Sequence, residues 1–234
     1  LLLEHGMRVL HSAGATDIGS VLAPRGSHTS VTVAIQANDH LLAATQVSAS
    51  PSAYSATASQ HSVAAGRLAY VFDLHGPNMA IDASCSSSLV AIHVARQHAR
   101  HDSQLALVAG VNVMISPAAS VLCALAGMTS ESGRCRTFDK RADGYARSEA
   151  CVSMCLGEGS DCGARAPMDV CASSVWHDGR SATLTAPNVH AQRGLLLAAL
   201  SEAALRVIAS HEAHGTGTVL GDQMERSSRP STEN

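Results

Sequence analysis

The chain has 234 residues, of which 46% are hydrophobic and 15% charged, and this balance permits a sizeable core and argues against global disorder. The net charge is −3, so the chain lacks the basic footprint expected of a nucleic-acid-binding protein. Only six residues are aromatic whereas forty are alanine, and we therefore expect a core of small and aliphatic side chains.

The hydrophobic pattern predicts alternating strands and helices, which is typical of a layered α/β fold. Up to residue 101 we expect a strand at 31–36, a helix at 51–65, extended segments at 70–72 and 79–81, and a helix from an N-cap at Ser84 to about His101. Beyond it we expect a strand at 105–113, a helix at 118–126, a polar surface loop at 130–144, strands at 151–156 and 170–175, and a helix at 191–205.

The first residue and the cysteine pattern indicate from what kind of protein, and from which cellular compartment, the chain comes. Because Leu1 is not methionine and opens a helix-like pattern, we expect a piece of a longer protein. The seven cysteines are odd in number and form no CxxC pair, which predicts free thiols in a reducing compartment. With neither a targeting segment nor a long apolar run, we expect an intracellular location, cytoplasmic or organellar, and no membrane span.

The first candidate site is the segment DASCSSSL at 82–89, which contains Cys85. The pattern predicts a strand that turns directly into a helix. A cysteine in the first helical turn lies where unpaired N–H groups and the helix dipole stabilise an anion. Small neighbours leave room for a substrate at the sulfur. The alternative is a cysteine that only packs, and this context alone does not decide between the two.

The second candidate site is the segment EAHGTGT at 212–218, which contains His214. Its glycines let the backbone bend sharply beside the imidazole, and Thr216 and Thr218 offer hydroxyls. A histidine so placed can donate to a developing oxyanion or exchange protons, whereas most histidines are merely solvated or hydrogen-bonded. The pair His211 and His214 misses the zinc-protease spacing by one residue, and we predict no metal site. Spacing alone does not bring His214 to Cys85.

The segment at 82–89 closely resembles the active-site segment of β-ketoacyl synthases, usually written DTACSSSL. Further motifs of that family follow in the family's order along nearly the whole chain: GRLAY (66–70), AGVN (109–112), TFD (137–139), ADGY (142–145), LTAPN (184–188) and EAHGTGT (212–218). The residues of these motifs are most similar to those of ketosynthase domains of modular polyketide synthases, with fatty-acid synthases as close relatives.

The resemblance implies a thiolase-like fold of two related halves in α-β-α-β-α layers. It also implies that Cys85 accepts an acyl group as a thioester, after which a malonyl-type extender loses carbon dioxide and its carbanion attacks that thioester. His214 corresponds to the first histidine of the family's Cys-His-His triad and would stabilise the enolate oxygen. Thr216 and Thr218 would lie near the phosphopantetheine arm. The domain itself is expected to bind no cofactor.

The resemblance also implies a domain organisation and partners. We expect a partial ketosynthase domain at 1–225, with an N-terminal half at about 1–160 and the start of a C-terminal half at about 161–225. A polar, loose tail is expected at 226–234. The expected partners are an acyl carrier protein, a second copy of the chain, and adjoining domains of a larger synthase.

Two of the departures from the family concern the condensation step and the backbone. No NIGH motif, which carries the family's second histidine, occurs in the 234 residues, so we expect acylation of Cys85 but impaired condensation. The family's RGEG is Arg147-Ser-Glu-Ala150, which would be strained if either replaced glycine were left-handed.

Two other functions are weighed. A non-catalytic acyl-binding relative or dimer partner is disfavoured because such relatives usually lose the nucleophile, and Cys85 is present. A thiol hydrolase is disfavoured because no motif supplies a group to orient the imidazole.

Overall fold

The computed structural model describes residues 1–14, 28–36, 38–46, 50, 52–101, 103, 105–158, 168–183, 185–205 and 208–229. The chain divides into two compact units: the first comprises Leu1–Pro117 and Ser148–Asp169, and the second Ala118–Arg147 and Val170–Asn234. Among the described residues, no helix combines the length and apolar character needed to cross a membrane.

Twelve helices and strands occur in the described part of the chain. The first unit contains α1 (Leu2–Ser12), β1 (Ser30–Ala34), α2 (Asp39–Gln46), α3 (Ser55–Ser59), α4 (His61–Phe72), β2 (Asn78–Ile81), α5 (Ser87–His101), β3 (Leu105–Asn112) and β4 (Ala150–Gly157). The second unit contains α6 (Ala118–Leu125), α7 (Val189–Glu202) and α8 (Val219–Ser228).

The first unit is built on one four-stranded sheet with the order β2-β1-β3-β4. Strand β1 pairs in parallel with both β2 and β3, whereas β4 runs antiparallel to β3 along its whole length. The helix between β2 and β3 is the crossover that a parallel connection requires. The carboxyl end of β2 therefore leads into the turn that carries Cys85.

Helices cover both faces of this sheet. On one face, α1 and α4 pack against Val31, Val33 and Leu107 in a core of aliphatic side chains. On the other face, α5 packs through Ala91, Ala95 and other small residues. Alanines four residues apart lie on one face of a helix, and their small side chains let α5 approach the sheet closely. The abundance of alanine is explained in part by this packing.

Most predicted elements of the first unit are confirmed, and the segment 70–72 is the main error. The strands expected at 31–36, 105–113 and 151–156 are β1, β3 and β4. Residues 70–72 were expected to be extended but form the last turn of α4. The buried positions of α4 explain the error, because Ala65, Leu68 and Phe72 follow helical spacing.

The helix expected at 51–65 is also placed differently. Two helices, α3 and α4, occupy this part of the chain, and extended backbone at Gln60 separates them. Pro51, where the prediction began, lies outside the described residues.

The second unit agrees with the sequence at α6 and α7 but differs at two other segments. Residues 170–175 were expected to form a strand and do not; the described part of this unit contains no strand with which they could pair. Helix α8 continues to Ser228, so residues 226–228, which the sequence assigned to a loose tail, are helical. Residues 230–234 of that tail lie outside the described residues.

The altered RGEG segment is not strained at the replaced glycines. Neither Ser148 nor Ala150 has a positive φ. Instead, the Ser148 carbonyl accepts a hydrogen bond from Asn112 Nδ2 at 2.7 Å, and Glu149 Oε1 accepts one from the Met114 amide at 2.7 Å. These bonds join the segment to the end of β3.

Candidate functional site

Cys85 lies in the first unit, in the turn between β2 and α5, two residues before the first residue of the helix. The sequence predicted an N-cap at Ser84 and Cys85 in the first helical turn, but α5 begins at Ser87, so Cys85 lies just before the helix and Ser84 is not its N-cap. Its side chain is exposed, as a nucleophile requires. The preceding residue, Ser84, is left-handed with φ of 53°, which is uncommon for a residue with a side chain.

Serine hydroxyls hold the backbone of this turn. The Ser87 hydroxyl accepts a hydrogen bond from the Ala83 amide at 2.8 Å and donates one to the Ser84 carbonyl at 2.7 Å. The Ser86 hydroxyl donates to the Ala83 carbonyl at 2.7 Å. The Ser84 amide, in turn, donates to Asp82 Oδ1 at 3.0 Å. The serine run thus satisfies backbone groups of a tight turn.

The start of α5 lies against strand β3 at Gly110. A Cβ atom at this position would come within 2.7 Å of Ser88 Oγ, so the absence of a side chain lets the helix begin close to the strand. Gly110 belongs to the AGVN motif, and its role is therefore to place the helix that follows Cys85.

The other described cysteines lie in different surroundings. Burial raises the pKa of the Cys151 thiol, which disfavours its thiolate. Cys123 accepts a hydrogen bond from the Arg147 guanidinium at 3.2 Å, and the Cys135 sulfur accepts one from the Ala146 amide at 3.2 Å. Cys162 lies outside the described residues.

His214 lies in the second unit, in the segment that leads into α8, and its side chain is exposed. Gly215 and Gly217 both have left-handed backbones, with φ of 61° and 67°. A Cβ atom on Gly217 would also lie 2.9 Å from the Gly144 carbonyl oxygen. Both glycines predicted to bend the chain beside the imidazole therefore have conformations that favour glycine.

Two carboxylates of α8 bind the backbone of this turn. The Glu225 carboxylate accepts hydrogen bonds from the amides of His214 at 2.6 Å and Gly215 at 2.8 Å. The buried Asp222 carboxylate accepts one from the Gly217 amide at 3.0 Å and another from the Phe138 amide. Sequence reasoning missed both residues. The available signal was two acidic residues, three apart on a helix, directly after a glycine-rich turn.

The loop at 130–144 contacts the same turn. The Thr137 hydroxyl donates to the Gly215 carbonyl at 2.5 Å, and the Gly144 amide donates to the Gly217 carbonyl at 2.9 Å. Within the loop, hydrogen bonds from Arg141 hold the pKa of Asp139 well below its usual range. The segment predicted to be a polar surface loop therefore also supports the His214 turn.

Thr216 and Thr218 lie close together. Their hydroxyl oxygens are 3.0 Å apart, and both face Gly221, where a Cβ atom would come within 2.6 Å of the Thr218 hydroxyl. The two hydroxyls thus form a small polar group at the start of α8. Cys85 belongs to the first unit, whereas His214, Thr216 and Thr218 belong to the second.

Two family models match the chain. The model described as "Beta-ketoacyl synthase, N-terminal domain" matches residues 1–161, and the model described as "Beta-ketoacyl synthase, C-terminal domain" matches residues 169–231.

Curated relatives are polyketide synthases of bacteria and fungi. A phenolphthiocerol/phthiocerol polyketide synthase from Mycobacterium tuberculosis is 42% identical over 233 residues, which cover 96% of this chain and 10% of that protein. The polyketide synthase component of lovastatin nonaketide synthase from Aspergillus terreus is 40% identical over 241 residues, which cover 96% of this chain and 8% of that protein. The chain thus spans about a tenth of the length of these relatives.

Solved structures with the same fold are ketosynthases. The ketosynthase from module 6 of the bacillaene synthase from Bacillus subtilis has a TM-score of 0.83 and 28% identity, covering 97% of this chain and 39% of that one. An oxazolomycin ketosynthase domain from Streptomyces albus has a TM-score of 0.79 and 33% identity, covering 86% and 36%. The predicted thiolase-like α/β fold is confirmed by these similarities.

Proposed function

Because the chain belongs to the β-ketoacyl synthase family, we propose that it supplies the nucleophile and the first histidine of a condensing site in a polyketide synthase. The observation that carries the proposal is the exposed Cys85 in a turn held by hydrogen bonds between β2 and α5. A fixed turn presents the sulfur to a substrate without an ordering cost at each encounter.

In the proposed reaction, the Cys85 thiolate attacks the thioester carbonyl of an acyl group carried on the phosphopantetheine arm of an acyl carrier protein. The carbon–sulfur bond to the arm breaks, the arm leaves as a thiol, and the acyl group remains on Cys85. A malonyl-type extender then loses carbon dioxide, and its carbanion attacks the acyl-Cys85 carbonyl, which releases the Cys85 thiolate.

His214 would donate a hydrogen bond to the enolate oxygen that develops during decarboxylation. Its exposed side chain beside a backbone-fixed turn supports this role. The paired hydroxyls of Thr216 and Thr218 support the proposal that they contact the amide groups of the pantetheine arm, since hydroxyls both donate and accept hydrogen bonds.

We also propose the organisation that follows from the family. Residues 1–225 form part of a ketosynthase domain, with the division between its halves near residue 160. The domain is proposed to work as a homodimer next to the other domains of a larger synthase. Condensation by the whole protein would use the family's second histidine, which is not among these 234 residues.

The nucleophile is tested by intact-mass spectrometry after incubation of the chain with an acyl thioester. We expect a single acyl adduct that is lost in Cys85→Ala and kept in Cys135→Ala, a control that removes another exposed thiol. An adduct that persists in Cys85→Ala, or labelling spread over several thiols, would contradict the assignment of Cys85.

A further inference from the structure

A hydroxyl group lies beside the sulfur of Cys85. Ser84 Oγ is 3.8 Å from Cys85 Sγ, and either atom could donate a hydrogen bond to the other. Both residues are exposed, so the pair lies where a substrate can reach it. In the family's segment, usually written DTACSSSL, the residue before the cysteine is alanine. The hydroxyl of Ser84 is therefore a departure of this chain from the family, and the family resemblance assigns it no role.

The side chain of Gln36 contacts the same hydroxyl. Gln36 lies two residues after β1, and its Nε2 atom donates a hydrogen bond to Ser84 Oγ at 3.3 Å. Strands β1 and β2 are parallel neighbours, and their last residues, Ala34 and Ile81, are paired. Because the carboxyl ends of parallel strands lie at the same end of the sheet, Gln36 comes next to the turn that follows β2.

The chemistry of these groups fixes the direction of both hydrogen bonds. The amide nitrogen of Gln36 can only donate, so Ser84 Oγ is the acceptor of that bond. A hydroxyl carries one hydrogen, which remains for a second partner. A thiolate has no hydrogen and can only accept. When Cys85 is a thiolate, the second bond must therefore run from the Ser84 hydroxyl to the sulfur.

We propose that Ser84 donates a hydrogen bond to the Cys85 thiolate, and that Gln36 is a positioning residue that turns the Ser84 hydroxyl toward the sulfur. The bond stabilises the thiolate that attacks the acyl thioester and that leaves again during condensation, and no proton is transferred along it. Of the two residues, only Ser84 contacts a reacting atom. The inference rests on the proposed function for the use of Cys85 as the nucleophile.

The test measures the rate at which iodoacetamide alkylates Cys85 in the full chain, by mass spectrometry of the peptide that contains it. Alkylation uses the thiolate and requires neither an acyl group nor a second histidine. In Ser84→Ala we expect the rate at pH 7 to fall about fivefold, because a hydrogen bond to a charged group is lost. In Gln36→Met, which keeps the length of the side chain without its donor, we expect a fall of about twofold. Ser88→Ala, at an exposed serine of the same segment, is the control and should react as the wild type does.

A double variant and a conservative variant distinguish the hydrogen bond from a general loosening of the turn. Because Gln36 acts through the Ser84 hydroxyl, Gln36→Met combined with Ser84→Ala should react no more slowly than Ser84→Ala alone. Ser84→Thr keeps the hydroxyl, but a β-branched side chain fits a left-handed backbone less well than alanine does. We therefore expect Ser84→Thr to be less stable than Ser84→Ala in urea unfolding and yet to react faster.

Two results would overturn the proposal: a rate in Ser84→Ala within about twofold of the wild type, or independent losses that multiply in the double variant. If Ser84→Thr does not fold, these two measurements decide. The outcome is separable from that of the acyl-thioester experiment. Alkylation that depends on the Ser84 hydroxyl, without an acyl adduct, contradicts the proposed function and leaves the hydrogen bond intact. A specific adduct on Cys85, with alkylation that is independent of the hydroxyl, contradicts this inference alone.

Discussion

The turns that carry Cys85 and His214 each place a left-handed residue beside the candidate side chain. The two turns differ in how far along the chain their hydrogen-bond partners lie. In the Cys85 turn, the left-handed residue is Ser84, and the backbone bonds come from side chains within four residues. In the His214 turn, it is Gly215, and the bonds come from Glu225, ten residues away, and Thr137, 78 residues away.

The two turns are therefore specified by different parts of the sequence. The Cys85 turn carries its own partners in its sequence and can form once β2 and α5 are in place. The His214 turn depends on the helix that directly follows it and on a loop that lies 78 residues earlier at Thr137, and closing such a long loop costs entropy. We therefore expect distant substitutions to disturb the His214 turn and to leave the Cys85 turn intact.

The largest effect is expected from Gly144→Ala, which breaks the His214 turn from a distance. Gly144 has φ of 126°, and a Cβ atom there would lie 2.6 Å from the Met128 carbonyl oxygen. Backbone cannot yield as a flexible side chain does, so we expect a loss of about 3–5 kcal/mol in the free energy of unfolding. Urea unfolding measures this loss, and amide exchange should rise at Gly217 but not in the Cys85 turn.

Gly127→Ala is the matched control for that substitution. Gly127 also has a positive φ, of 67°, but nothing lies within 4 Å of the position that its Cβ would take. We expect a loss of about 1 kcal/mol from the backbone conformation alone. Equal losses for the two alanine variants would show that the approach at Gly144 is not rigid.

A smaller loss is expected from Asp222→Ala. Asp222 is buried, and its removal leaves the amides of Phe138 and Gly217 without their acceptor. Unsatisfied buried donors should lower the free energy of unfolding by about 2–4 kcal/mol, measured in urea. Gln223→Ala, at an exposed position of the same helix, should change it little. A loss confined to Gln223→Ala, or equal in both variants, would refute the assigned role of Asp222.

The corresponding change in the Cys85 turn, Ser87→Ala, is expected to cost less. The Ser87 hydroxyl makes hydrogen bonds with two backbone groups, and loss of these bonds should lower the free energy of unfolding by about 1–2 kcal/mol. We also expect the alkylation rate of Cys85 to change, because the turn that presents the sulfur loosens. Ser88→Ala, at the exposed neighbouring serine, is the control, and similar effects of both variants would contradict a specific role for Ser87.

Features set by local sequence patterns could be predicted, whereas features set by contacts between distant residues could not. The strand Leu105–Asn112 was found because a continuous apolar run marks a strand covered on both faces, and Ser30–Ala34 was found from the short β-branched segment that begins at Val31. The segment 70–72 was misplaced because three apolar residues fit either period, and only the packing of Phe72 with Leu68 and Ala65 decides. Both candidate side chains were found from local motifs and the family resemblance. The bond from the Phe138 amide to Asp222 could not be predicted, because it joins residues 84 positions apart.

The smallest change in the free energy of unfolding is expected at Ser84. It compares the left-handed residues of the two turns directly. Ser84→Gly and Ser84→Ala both remove the hydroxyl, including its bond from Gln36 Nε2, so their difference isolates the backbone. At an ordinary position glycine is less stabilising than alanine, because it loses more conformational entropy on folding. At φ of 53° the order should reverse, with Ser84→Gly more stable than Ser84→Ala by about 1 kcal/mol in urea unfolding. If alanine were the more stable of the two, the Cys85 turn would not be left-handed in solution. The reversed order would instead show that Cys85 lies beside a strained residue, whereas His214 lies beside a glycine that adopts the same conformation at little cost.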